Sequence, residues 1–192
     1  MPEITIRQLA ASDRRAVAFT FGRLSERSRY QRYFTTKPTL APRELARLVD
    51  VDHWHHEALI ASSPPPRAPI GIAHYVRLED DFEAAEVAIT IVDDWQRHGV
   101  GTALLAALTD RAARAGIRRF HMSMLRDNVG ARALASQLGR PVAAAGAGSV
   151  VEFVFDLGWM TGERVDHAPH PPHPGPVGVS STSIVDETPH PC

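Results

Sequence analysis

Apolar and polar residues alternate through Ile4-Thr5-Ile6-Arg7, the pattern of a strand with one buried face. The period then lengthens. Val17, Phe21 and Leu24 are spaced as one helical face, and Ser12 ahead of them offers an N-cap oxygen. Ser25 is placed to cap a second short helix, Glu26 to Phe34, with Tyr30, Tyr33 and Phe34 expected inward and its arginines solvated. Pro42 suits the first turn of a third helix, whose inner face is Leu45, Leu48 and Val49. Three strand-like runs follow: Ala58 to Ala61, closed by the turn-forming Ser62-Ser63-Pro64-Pro65-Pro66, then Ile70 to Val76, then Glu86 to Val92. An acidic turn at Glu79-Asp80-Asp81 joins the last two as an antiparallel hairpin.

The clearest helix is Gly99 to Ala115, with Val100, Leu104, Leu108 and Ala112 as its apolar stripe and Gly116 as its stop. Arg119 to Leu125 reads as a strand, Asn128 to Leu138 as a helix closed by Gly139, and Val150 to Leu157 as a final strand. The order is β, helices, three strands, α, β, α, β. Its expected fold class is mixed α/β (α+β), a sheet with helices on its faces.

From Thr161 the pattern fails. The last segment holds seven of the 15 prolines and four of the 10 histidines and has no apolar period. Residues 1–158 are therefore expected to form one domain, and 159–192 a disordered Pro/His-rich tail. His167, His170 and His173 in that tail are spaced like metal ligands, but with no folded frame they are ascribed to compositional bias, and no metal site is expected.

Composition narrows the partners. With 21 basic and 22 acidic residues the chain has no electrostatic footprint for nucleic acid. Cys192 is the sole cysteine, which leaves no internal disulfide or Cys-based zinc site and suits a reducing cytoplasm. The N-terminal MPEITIRQLAASDRR has no apolar signal region, and no run approaches the roughly 20 apolar residues of a membrane helix. A cytoplasmic protein without a membrane partner is expected.

The chemistry concentrates where the third strand of the run meets the long helix, at Asp94-Trp95-Gln96-Arg97-His98-Gly99-Val100-Gly101-Thr102. The first N–H groups of a helix lack internal partners and sit at its positive end, a site for a pyrophosphate. Glycines at 99 and 101 are expected to let phosphates approach the backbone, Gln96 to donate from its amide, and Arg97 or His98 to neutralise charge at the rim. Two glycines alone would mean only a loosened helix start. Neither a dinucleotide fingerprint nor a Walker loop is present.

Gln96-Arg97-His98-Gly99-Val100-Gly101 resembles the signature of the GNAT superfamily of N-acetyltransferases, Gln/Arg-x-x-Gly-x-Gly/Ala. Asn128, Ala131, Leu134 and Leu138-Gly139 resemble the family's second motif. Leu24 through Tyr30, and Val51-Asp52 through Glu57-Ala58-Leu59, look like the subgroup related to bacterial protein-lysine acetyltransferases. The likeness spans about residues 3 to 158. It implies a GNAT fold, a central, mostly antiparallel mixed sheet of about six to seven strands flanked by helices, with acetyl-CoA as co-substrate. It also implies that the backbone of Ile91 and Val92 holds the pantetheine arm. Amides from Arg97 through His98, Gly99, Val100 and Gly101 to Thr102 would hold the pyrophosphate, and Asn128 would touch the cofactor. A backbone N–H near Ile91 would polarise the thioester carbonyl.

An acceptor amine must lose a proton before it attacks. Glu86 matches a base position in the related lysine acetyltransferases, and alternation puts it on one strand face with Ala88 and Thr90. A solvated glutamate at a strand start is the competing reading. The Arg-aromatic stretch from Arg27 to Phe34 could border the acceptor groove, although packing with solvated arginines is the weightier reading. Of the histidines at 53, 55, 56 and 74, His74 is the best proton-shuttle candidate, although loop histidines are usually only polar. Many GNAT enzymes place a Tyr, which protonates the leaving thiolate, where this chain has Ala135; Ser136 beside it is a poor acid. The expected function is acetyl transfer from acetyl-CoA to a primary amine, of a protein lysine or a small molecule, by direct attack in a ternary complex. The alternative is a catalytically weak acetyl-CoA-binding sensor, and an unrelated phosphate-binding α/β scaffold is a third reading.

Overall fold

The computed structural model describes residues 3–146 and 148–158. The expected tail, with its spaced histidines, lies outside the described residues. Seven strands and five α-helices follow in the order β1 (Thr5–Gln8), α1 (Arg14–Gly22), α2 (Glu26–Tyr33), α3 (Pro42–Val49), β2 (His56–Ser62), β3 (Pro69–Arg77), β4 (Ala84–Ile91), α4 (Val100–Arg114), β5 (Arg119–Leu125), α5 (Val129–Ala135), β6 (Ala143–Ala145) and β7 (Val150–Asp156).

The strands form one sheet in the order β1-β2-β3-β4-β5-β7-β6. Only β4 and β5 pair in parallel. Helix α4 is what makes this possible, since a parallel neighbour needs a crossover rather than a hairpin. Its stripe of Val100, Leu104, Leu108 and Ala112 is buried against the sheet together with Leu105, Tyr75 and Phe120. The fold is the expected mixed sheet with helices on its faces.

Parallel pairing of β4 and β5 covers only Ala84–Arg119, Ala85–Phe120 and Glu86–His121. Beyond Glu86 both strands continue, β4 to Ile91 and β5 to Leu125, without pairing to each other. The sheet therefore opens into a wedge whose apex is Glu86 and His121.

Several local expectations are corrected. Ser12 caps nothing; a 3-10 turn, Ala11–Asp13, precedes α1, and Asp13 accepts from the Ala10 amide at 2.8 Å and from the Arg7 guanidinium at 2.7 Å. The helix after Asn128 becomes a 3-10 turn at Ser136–Leu138. β6 was not foreseen, because its three alanines carry no alternation. In α2, Tyr30 is 44% exposed while Arg29 and Arg32 turn inward. Their guanidinium groups find acceptors and aromatic faces there: Arg29 lies 4.7 Å over the Phe21 ring and donates to the Pro38 and Gly22 carbonyls.

Candidate functional site: a cleft between β4 and β5

The wedge is a cavity of about 500 Å³, lined by α2, β3, β4, β5, the start of α4 and α5. That size is ordinary for a ligand pocket.

One wall is made of main chain. Val92 donates its N–H to the Ile70 carbonyl at 3.0 Å, which fixes the antiparallel alternation between β3 and β4. Even-numbered β4 residues thus pair with β3, and the Val87 carbonyl, the amide and carbonyl of Ile89 and the Ile91 amide face the open wedge, while the Val87 amide is used in the last parallel bridge to His121. Val92 is a correction: its amide is engaged with Ile70, its side chain is buried, and it does not line the cavity.

The turn after β4 bends by left-handed residues, Arg97 at φ 63° and Gly99 at φ 81°. A non-glycine residue in that region is strained by about 1 kcal/mol, so Arg97 is held there by its surroundings. Ala103 donates to the Gly99 carbonyl at 3.0 Å as the first bond of α4. The amides of Arg97 to Thr102 have no acceptor among the described residues. They form a concave set of N–H donors at a positive helix end, which fits a diphosphate.

Side chains of the signature divide. Arg97, Gly99, Gly101 and Thr102 line the cavity, whereas Val100 is buried in the core. His98 turns away: its Nδ1 bonds the Gln96 carbonyl at 2.8 Å and its ring lies 6.1 Å from that of Trp95. The Gln96 amide is not free to donate to a phosphate, because its Nε2 donates to Ser28 Oγ and to the Ile91 carbonyl, both at 3.2 Å. Gln96 instead positions the turn. Asp93 helps, accepting from the Ser25 amide, Ser25 Oγ and Ser28 Oγ at 2.7–2.9 Å. Burial alone would raise the Asp93 carboxyl pKa, and these hydrogen bonds override it and hold the group ionised. Ser25 also caps α2, as expected, by accepting from the Ser28 amide. Asn128 lines the cavity, but its Oδ1 caps α5 by accepting from the Ala131 amide at 3.0 Å, leaving only its NH₂ for a ligand.

The other wall is made of side chains. Glu86 is exposed into the cavity beside Val76, Ala88 and Thr90. The parallel register sets His121 next to it. His121 Nδ1 bonds Glu152 Oε1 at 2.7 Å, which turns Nε2 of the same ring to the opposite side. This pair was not singled out from the sequence: its meaning depends on β4 and β5 being neighbours, which alternation within β5 does not disclose.

His74 and Arg32 close the site on the α2 side. Arg32 donates from Nη2 to His74 Nε2 at 2.9 Å, so the ring proton sits on His74 Nδ1, which is buried without a partner. Burial, then the nearby Arg32 charge and His56, push the His74 pKa well below its usual value. It is a neutral imidazole and a poor proton shuttle at neutral pH. His53, His55 and His56 do not line the cavity; they bond Glu57, Asp52 and the Asp50 carbonyl, and so shape the turn before β2. Ala135 is 2% exposed and outside the cavity, and Ser136 Oγ donates to the Ala133 carbonyl. Neither offers a proton to the wedge. Among the described residues no cluster of metal-ligating side chains occurs, and no helix is long and apolar enough to cross a membrane.

Comparison with known proteins bears on the family and the fold. The family model described as "Acetyltransferase (GNAT) domain" matches residues 3–140. Acetyltransferase Pat of Mycolicibacterium smegmatis is 34% identical over 116 residues, covering 60% of this chain and 34% of that relative. Acetyltransferase PA5475 of Pseudomonas aeruginosa is 29% identical over 138 residues, covering 71% of this chain and 74% of that relative. The chain thus spans about a third of one curated relative and three quarters of the other. Among solved structures, the GNAT domain of S. lividans PAT superposes with a TM-score of 0.72 at 25% identity, covering 79% of this chain and 89% of that one. The yncA protein of Salmonella typhimurium, solved with acetyl-CoA, shares the fold at a TM-score of 0.64 and 17% identity, covering 86% and 96%.

Proposed function

Because the chain belongs to the GNAT acetyltransferase family, we propose that it transfers the acetyl group of acetyl-CoA directly to a primary amine presented beside Glu86. The observation that carries this reading is the cavity's two ends. Unpaired amides at the start of α4 lie at one, and the Glu86–His121 apex lies at the other.

Acetyl-CoA supplies the activated acetyl group when bound. The amides from Arg97 to Thr102 hold its diphosphate, and the wedge-facing backbone from the Val87 carbonyl through Ile89 to the Ile91 amide continues β4's hydrogen bonding onto the pantetheine amides. An amide of the same row stands ready for the thioester oxygen.

The acceptor arrives as an ammonium and must surrender a proton. Glu86 takes it, directly or through a water, and His121, oriented by Glu152, is the adjacent relay toward solvent. A C–N bond forms and the C–S bond breaks. The leaving thiolate, with a thiol pKa near ~8.5, takes its proton from water, since Ala135 provides none. Acceptors in this reading are protein lysines or small amines.

The test has two arms. Acetyl-CoA and CoA should raise the melting temperature, and ATP should not. Thiol release with a panel of amines then separates turnover from sensing: binding without release in any amine would favour the acetyl-CoA sensor, and no binding would defeat the acetyltransferase assignment.

A further inference from the structure

Most inward-turned arginines of the fold have obvious partners. Arg111 pairs with the buried Glu57, and Arg119 with Asp81. Arg29 and Arg77 donate to backbone carbonyls. Arg32 does neither. It is partly buried in the wall of the cavity, its guanidinium lies 4.9 Å over the Tyr33 ring, and its hydrogen-bond partner is the His74 imidazole.

That partner satisfies one N–H without cancelling any charge. Arg32 makes no ion pair among the described residues; burial lowers its pKa from the ordinary value, opposed by Tyr33 and by Glu86 across the same cavity. Removing a cation from water without a counter-charge is costly. Guanidinium has five donors in a planar fork, and those not given to His74 are left for the cavity. A neutral His74 fits this role, since a charged ring would repel Arg32 and could not accept its hydrogen bond.

The cavity therefore presents one cationic fork and one carboxylate, Arg32 and Glu86, on the side away from the α4 amides. That is the complement of a molecule bearing both an amine and a carboxylate. We propose that the acceptor carries a carboxylate near its reactive amine, and that Arg32 receives this carboxylate while Glu86 faces the amine. Arg32 is then a specificity-determining residue that takes no part in proton transfer. This inference rests on the acetyl-transfer reading above and narrows its acceptor to a chemical class. A free amino acid and a lysine flanked by an acidic side chain share that chemistry.

The experiment compares kcat/KM for acceptors that differ only in the carboxylate. One arm uses L-amino acids against their methyl esters; the other uses lysine peptides with a neighbouring Glu against the same peptides with Gln. In one arm the acid should be preferred by about tenfold or more, as for a charge-assisted bidentate pair. Arg32→Gln should erase that preference by raising KM for the acid far more than for the ester or the Gln peptide, with acetyl-CoA still bound. Arg32→Lys, which keeps charge without the fork, should retain part of it. Equal use of acid and neutral analogue in both arms by the unaltered protein overturns the proposal without needing any variant, as does an equal loss for both in Arg32→Gln. Failure of the unaltered protein to bind acetyl-CoA would instead remove the reading beneath it.

Discussion

The two walls of the cleft are built from different material. The proposed coenzyme wall is main chain: a β-strand edge that runs out of partner after Glu86 and a helix start whose amides have no acceptor among the described residues. The proposed acceptor wall is side chain: Glu86, His121 with Glu152, and Arg32 with His74, drawn from five elements far apart in sequence. A main-chain wall tolerates most side-chain changes and fails only where the backbone path itself is altered. A side-chain wall fails at single atoms. Substitutions should therefore divide cleanly between cofactor affinity and turnover.

The largest effect is expected at Glu86. Glu86→Gln keeps shape and removes the proposed base, so kcat should fall by about 10²–10⁴-fold, the usual contribution of a positioned general base. Its dissociation constant for acetyl-CoA, read by calorimetry, should stay within about twofold. A parallel loss of both would make Glu86 structural and erase the division between the walls.

Gly99→Val is the opposite case. Gly99 has φ 81°, where a β-branched residue is strained by about 1–3 kcal/mol. The turn should shift, acetyl-CoA affinity should weaken by about tenfold or more, and the melting temperature should drop. Acceptor KM, measured at saturating acetyl-CoA, should change little.

His121→Asn should come next, lowering kcat by about tenfold with acetyl-CoA affinity unchanged, and Glu152→Gln should do the same more weakly because it only orients the ring. If His121→Asn is silent while Glu86→Gln is not, solvent rather than the imidazole takes the proton onward.

The same contrast explains what could be read from the sequence. The strand–turn–helix at residues 89–102 is local: its glycines, its alternation and the α4 stripe are contiguous, so both the local fold and the proposed coenzyme wall could be read there. Glu86 was singled out for the same reason, lying on the strand that leads into that turn, and it lines the cavity. His121 was not, because its neighbour comes from parallel pairing across a helical crossover. Arg32 was misjudged as solvated, since an arginine next to aromatics on a short helix is usually so; only the position of His74, 42 residues on, turns it inward. Gln96 was correctly placed at the turn but given the wrong partner, because Ser28 belongs to a helix the local pattern cannot bring near. Main-chain sites follow from local sequence. Side-chain sites wait for topology.

The smallest expected effect tests the main-chain argument most sharply. Both signature glycines were first ascribed to phosphate access, yet they differ. Gly101 lies inside α4 with ordinary helical backbone, and a Cβ there would meet Leu134 Cδ2 at 3.4 Å and Ile91 Cγ1 at 3.9 Å, ordinary van der Waals contacts. No backbone strain accompanies it, and alanine is the better helix former by about 1 kcal/mol. Gly101→Ala should therefore hold stability or raise it slightly, and keep acetyl-CoA affinity within about twofold by calorimetry. Gly101→Leu should not, because its larger side chain must displace Leu134, which also lines the cavity. If Gly101→Ala weakens acetyl-CoA as much as Gly99→Val does, then the diphosphate reaches closer to α4 than the free amides require. The coenzyme wall would then depend on side-chain clearance as much as on the path of its backbone.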